Sequence, residues 1–96
     1  MLRISLSGEG VRAATLRLEG RVVGPWVAEL REACHKVLAE ERALTLDLSE
    51  VWFADRAALL LFLELKSRGV VLSKCSPFLS EALRAAGVAA DVRRRT

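Results

Sequence analysis

The 96 residues predict one small α/β domain with a mixed central sheet and helices packed mainly on one face, and three observations carry that expectation. Apolar and polar residues alternate with period two over 4–6, 11–13, 16–18 and 44–48, which is the signature of half-buried strands. Between and after these runs the apolar spacing changes to that of amphipathic helices. Glycine and proline punctuate the boundaries at Gly20, Gly24, Pro25, Gly69, Pro77 and Gly87. The length admits one core. An apolar share of 52%, before the six glycines are added, exceeds that of average chains and argues against disorder.

Ile4 and Leu6, then Val11, Ala13, Leu16 and Leu18, read as two strands joined at Gly8-Glu9-Gly10. Gly20 to Gly24 breaks the pattern, and Pro25 suits the first turn of a helix, where its missing N–H costs nothing. Trp26, Val27, Leu30, Ala33, Cys34, Val37 and Leu38 then form one helical stripe. Glu29, Arg31, Glu32, His35, Lys36 and Glu40 form the polar side, with Glu32 and Lys36 spaced to support the helix. Leu44, Leu46 and Leu48 mark a third strand, and the intervening helix makes its pairing parallel. Asp55 is a good N-cap for a helix over 56–68, which Gly69 stops. A short strand follows over 70–73. Ser76-Pro77 opens a helix over 78–86 that Gly87 ends, and a last extended segment is expected over 90–93. The order is β-β-α-β-α-β-α-β.

The net charge of +3 does not describe the body of the protein. Residues 1–92 hold 12 Lys or Arg and 12 Asp or Glu, so the excess is Arg93, Arg94 and Arg95. The reading is a neutral domain over 1–92 with a basic tail over 93–96. A nucleic-acid binder spreads positive charge over a folded face, so the tail is read as solvated, with no specific nucleic-acid partner. The longest apolar run, 57–63, is far short of a membrane span, and no signal-type apolar block opens the chain. No membrane insertion and a cytoplasmic location are therefore expected. Cys34 and Cys75 are read as free thiols.

No catalytic constellation rises above background, so the chain is read as no enzyme, with no cofactor and no metal. His35, the only histidine, neighbours Cys34 on a helix, where the two side chains point about 100° apart. Cys34 is expected in the core and His35 in solvent. Gly8-Glu9-Gly10 lacks the further glycine, lysine and following helix of a phosphate loop.

The segment 46–59 does not reduce to packing. It leads a buried strand through Trp52 and Asp55 into a nearly all-apolar helix. A helical wheel groups Leu59, Phe62 and Leu63 on one side and Ala57, Leu61, Glu64 and Arg68 on the other, with Leu60 on the flank. Leu61 is thus expected on the charged face, where with Trp52, Leu60 and the small Ala57 and Ala58 it forms a protein-binding patch or a homodimer contact.

At this segment the chain resembles the STAS domain, the fold of bacterial anti-sigma factor antagonists. Leu18-Glu19-Gly20 looks like that family's strand ending in glycine; Leu46-Asp47-Leu48-Ser49, Val51 and Phe53-Ala54-Asp55 look like its central strand and loop; Leu83 to Val88 looks like its closing helix. Members that act by partner switching carry Asp-Ser-Ser-Gly, whose first serine is phosphorylated by an anti-sigma factor kinase. This chain reads Asp55-Arg56-Ala57-Ala58. Arg56 has no hydroxyl to phosphorylate and brings +1 where a phosphate brings about −1.5 to −2. The resemblance implies a non-enzymatic regulatory module, of bacterial transcriptional signalling, that docks a protein through Trp52, Asp55, Arg56, Ala57, Ala58, Leu60 and Leu61. The partner is then an anti-sigma-factor-like kinase or a sensor assembly. One alternative is the STAS subunit of an ABC-type lipid or solute transporter, resting on its ATPase; another is a nucleotide or small-molecule binding domain.

Overall fold

The computed structural model describes the backbone of residues 2–8 and 12–94 and the side chains of most residues up to 88. Strands β1 (Leu2–Gly8), β2 (Ala13–Val22), β3 (Ala43–Ala54) and β4 (Val71–Ser73) alternate with helices α1 (Pro25–Ala39), α2 (Arg56–Ser67) and α3 (Pro77–Arg94) after the opening hairpin. The sheet order is β1-β2-β3-β4. β1 pairs antiparallel with β2, and β2, β3 and β4 run parallel. Each parallel strand feeds a helix, so all three helices begin at one edge of the sheet.

Alternation decides the two faces of that sheet. Ala14, Leu16, Leu18, Leu44, Leu46 and Leu48 are buried beneath the helix layer. Arg3, Ser5, Thr15, Arg17, Thr45 and Asp47 line a shallow polar hollow on the other side. The helices contribute Val27, Leu30, Cys34 and Val37 from α1, Ala58, Leu61, Phe62 and Leu65 from α2, and Leu79 and Leu83 from α3. The single mixed sheet with helices on one face is the architecture the sequence predicts. Cys34 is fully buried, and burial pushes its thiol up to about 11. Cys75 is half-buried, and both cysteines are free thiols. His35 is exposed, with Nε2 3.3 Å from the Arg68 guanidinium. The Glu32–Lys36 pair does not form; α1 is tied to α2 instead by Arg31 and Glu64 at 2.8 Å.

Three expectations are corrected. No final strand occupies 90–93, because α3 runs through Gly87 as far as Arg94. Gly87 adopts no left-handed conformation, and a Cβ there would sit 3.9 Å from the Leu63 methyls, so it lies in α3 where that helix packs on α2. Between Ala86 and Val88, a single glycine costs a helix only about 1 kcal/mol. Gly20 does not end the second strand. At φ 111 it lets β2 continue to Val22 past a register shift. The third correction concerns α2. Its buried stripe is Ala58, Leu61, Phe62 and Leu65, and Leu61 is 1% exposed instead of standing on the charged face. Seven consecutive apolar residues leave the phase of a wheel open; the sheet on one side and α3 on the other fix it.

Candidate functional site

Two irregularities in β3 build the surface at the start of α2. Arg17 pairs with Asp47 and Glu19 with Glu50, so two steps along β2 match three along β3. Gly20 pairs with Val51 and Arg21 with Phe53, so one step matches two. Each extra residue is a bulge that reverses the alternation. Leu48 is buried, Ser49 and Glu50 are exposed, Val51 is buried, and Trp52 and Phe53 both face solvent. Trp52 is 67% exposed and Phe53 43%. The Arg21 guanidinium lies 5.4 Å from the centre of the Trp52 ring, a cation–π contact that props the indole outward.

Asp47 holds the first bulge. Its Oδ1 accepts from the Ser49 backbone N–H at 3.0 Å and from Ser49 Oγ at 2.7 Å. These bonds, the side-chain one foremost, hold its carboxyl below the usual range, aided by Lys74 and Arg17.

Asp55 holds the end of the strand. Its backbone N–H donates to the Val22 carbonyl at 3.1 Å. Oδ1 accepts from the Ala58 N–H at 2.9 Å, which caps α2 as the sequence predicts. Oδ2 accepts from the Gly24 N–H at 3.0 Å. Gly24 is the N-cap residue of α1, at φ 52, and α1 has no side-chain cap of its own. One carboxylate thus binds the N-terminal ends of two helices, and its negative charge suits both dipoles. Sequence reasoning finds the bond to Ala58. It misses the bond to Gly24, a contact across 31 positions that no local motif signals.

The seven residues singled out in the sequence therefore separate. Trp52, Arg56, Ala57 and Leu60 are exposed, Leu60 by 39%. Asp55 is half-buried and engaged through both oxygens. Ala58 and Leu61 are core residues and present nothing to a partner. Phe53 joins the surface unannounced, because its exposure depends on the second bulge. The Arg56 guanidinium takes part in no hydrogen bond or ion pair among the described residues; Asp55 accepts from amides and Glu50 faces Arg17 at 3.7 Å. The result is an exposed cation at the first position of α2, within four residues along the chain of exposed Trp52, Phe53 and Leu60. Among the described residues no group of three metal-ligating side chains is assembled, and no helix is long and apolar enough to cross a membrane.

Among solved structures, the anti-sigma factor antagonist SpoIIAA in its unphosphorylated form matches with a TM-score of 0.68 and 16% identity, over 85% of this chain and 82% of that one. A protein described as Mglu matches with a TM-score of 0.62 and 22% identity, over 76% of this chain and only 20% of that one. A protein of the DUF3478 family from Shewanella loihica PV-4, with a SpoIIAA-like fold, matches with a TM-score of 0.56 and 14% identity, over 88% and 75% of the two chains. At such identities the likeness is one of fold. No curated protein matches the chain. The family model described as "Mlab, STAS domain" matches residues 4–93, nearly the whole length, and the chain belongs to the STAS domain family.

Proposed function

We propose that this STAS domain is a non-catalytic docking module of the anti-sigma factor antagonist kind, holding a protein partner against the junction of β3 and α2. The observation that carries the reading is the exposure of Trp52, Phe53, Arg56 and Leu60 along the short stretch of chain that joins β3 to α2. Aromatic residues and arginine are the side chains that concentrate binding energy at protein interfaces. The framework beneath them is built for position, since Asp47 and Asp55 fix the backbone on either side. The partner is a cytoplasmic protein of the anti-sigma-factor kinase or sensor-assembly type.

Arg56 favours a second reading of the partner. With no hydroxyl at the position where switching relatives are phosphorylated, engagement here is constitutive. A permanent subunit contact, such as that with a transporter ATPase, needs no switch. Co-purification from the native host, followed by mass spectrometry, tests the surface and separates the partners. Wild type retains one specific protein; Trp52→Ala, Leu60→Asp and Arg56→Glu each deplete it, and Phe78→Ser, at an exposed position on α3, does not. A partner that survives all three substitutions overturns the assignment of the surface. Its identity as an ATPase or as a kinase decides between the readings.

A further inference from the structure

β4 is three residues long and stands at the outer edge of the sheet, beside α2 and α3. Leu63 of α2, Val70, Val71 and Leu72 at the strand and Leu83 of α3 line a groove of about 680 Å³ there. Small-molecule sites are of that size, roughly 300–1,000 Å³. Val71 and Leu72 are consecutive and so point to opposite faces, which means that a groove touching both follows the open edge of β4. The groove is not uniform along its length. At one place Lys66 and Ser80 lie beside the Cys75 thiol, where both oppose the burial that holds it above its ordinary range. At another the Leu63 methyls stand 3.9 Å from where a Cβ on Gly87 would be. Ser80 and Gly87 are seven positions apart on α3, about 10 Å along its axis. The charges are of one sign, since Lys66 and Arg84 line the groove and no acid does among the described residues. Arg84 is matched by Glu81 of the same helix, through Nε at 3.1 Å and through Nη2. Lys66 forms no ion pair among the described residues.

We infer that this groove holds a fatty acid, with its carboxylate on the Lys66 ammonium and its chain laid past Val71, Leu72 and Leu83 toward Gly87. An occupant that is charged at one end and apolar along the rest repeats the division of the lining. One unmatched cation suits a single negative charge, which selects a monocarboxylate over a doubly charged phosphate. The apolar stretch between Cys75 and Gly87 asks for no hydrogen bonds, and an acyl chain brings none. A peptide strand is the poorer match, because β4 offers it only three residues and the neighbouring Val70 N–H already donates to the Leu65 carbonyl at 3.0 Å. Gly87 fits the same reading: its missing side chain leaves the apolar end of the groove open, at the cost that a glycine imposes on a helix.

No residue of this groove belongs to the β3–α2 surface, so the ligand and the docking partner stand or fall separately. Calorimetric titration of the full chain with dodecanoate, kept below its micelle concentration, is expected to show one saturable site. Dodecyltrimethylammonium, the same tail with the opposite charge, is expected to show none. Lys66→Glu, at an exposed position, weakens dodecanoate severalfold, and Lys36→Glu, the same change of charge on α1, does not. Gly87→Leu, which favours the helix and fills the apolar end, removes the preference for dodecanoate over octanoate. Bound dodecanoate slows alkylation of Cys75 severalfold, while Cys34, fully buried, stays unreactive throughout. Equal binding of the two surfactants, tighter binding of dodecyl phosphate, or an affinity indifferent to Lys66→Glu overturns the inference. So does a Cys75 that dodecanoate leaves unprotected, or one that self-association of the chain already shields before any ligand is added.

Discussion

The pairing of β2 with β3 has two halves built on different rules. From Ala13 to Arg17 the strands stay in strict register with 43–47, and every second side chain enters the core. From Glu19 to Val22, β3 carries two extra residues, and the alternation gives way to pairs of neighbouring side chains that both face solvent. The regular half stabilises; the irregular half displays. A bulge is how a sheet releases consecutive residues from its own interior without ending the strand, and here that release occurs where α2 and α1 begin. The docking surface is therefore made of backbone irregularity as much as of residue type, and its largest side chains are ones the core does not use.

The comparison breaks most sharply on stability. Leu46→Ala, at a fully buried position of the regular half, is expected to lower unfolding free energy by about 2 to 5 kcal/mol, as truncation of core leucines does. Trp52→Ala removes a larger side chain from the irregular half and is expected to cost less than about 1 kcal/mol, the worth of an exposed cation–π contact with little burial. Urea unfolding of the two variants measures the contrast directly. Equal losses would mean that the irregular half is a second core, and that Trp52 is held by packing instead of offered to a partner.

The same division explains what the sequence made legible. In the regular half, Leu44, Leu46 and Leu48 declare their face by spacing alone, and the strand and its parallel pairing follow. Asp55 is legible as an N-cap because capping is local: a carboxylate three positions before the amide it accepts. The second bulge has no such signal. Trp52-Phe53 reads as one residue in and one out until the register with β2 is known, so Phe53 passes unnoticed. Leu61 fails for the complementary reason. In a helix apolar on nearly every side, the buried stripe is selected by which elements pack against it, and that information is not local. Gly87 likewise reads as a stop until α3 is seen passing Leu63.

Asp55 joins the two halves to the helix layer, and its substitution sharpens the comparison at an intermediate scale. Asp55→Ala removes the cap of α2 and the acceptor for Gly24 together, with an expected loss of about 1 to 2 kcal/mol. Asp55→Asn keeps one carbonyl oxygen for Ala58 but presents an amide NH2 to the Gly24 N–H, so about half of that loss is expected, with partner capture reduced in proportion to the disorder at Gly24 and Arg56. Amide exchange reads the two ends separately. In Asp55→Asn the Gly24 amide should lose protection while Ala58 keeps it. Equal loss at both would show that the two oxygens are not dividing the two helices between them.

The smallest effect tests whether the first bulge is held electrostatically. Asp47 has its carboxyl held low by Ser49, so the folded protein favours the carboxylate more than the unfolded chain does. That contribution is fully present above the ordinary carboxylate pKa near 3.8 and is lost as the pH falls through the lower folded value. The side chain sits on the open face of the sheet within reach of solvent, so the gain is well screened and smaller than that of the Asp55 cap. Wild type is therefore expected to lose stability on acidification below pH about 4 slightly more steeply than Asp47→Asn. Ser49→Ala, which keeps the backbone N–H but not the hydroxyl donor, should fall between them. Parallel acid limbs for all three proteins would mean that the bulge persists through the register of β2 and β3 alone. In that case Asp47→Asn would also leave partner capture untouched, and the irregular half would owe its shape to the paired strands and not to the carboxylate beside it.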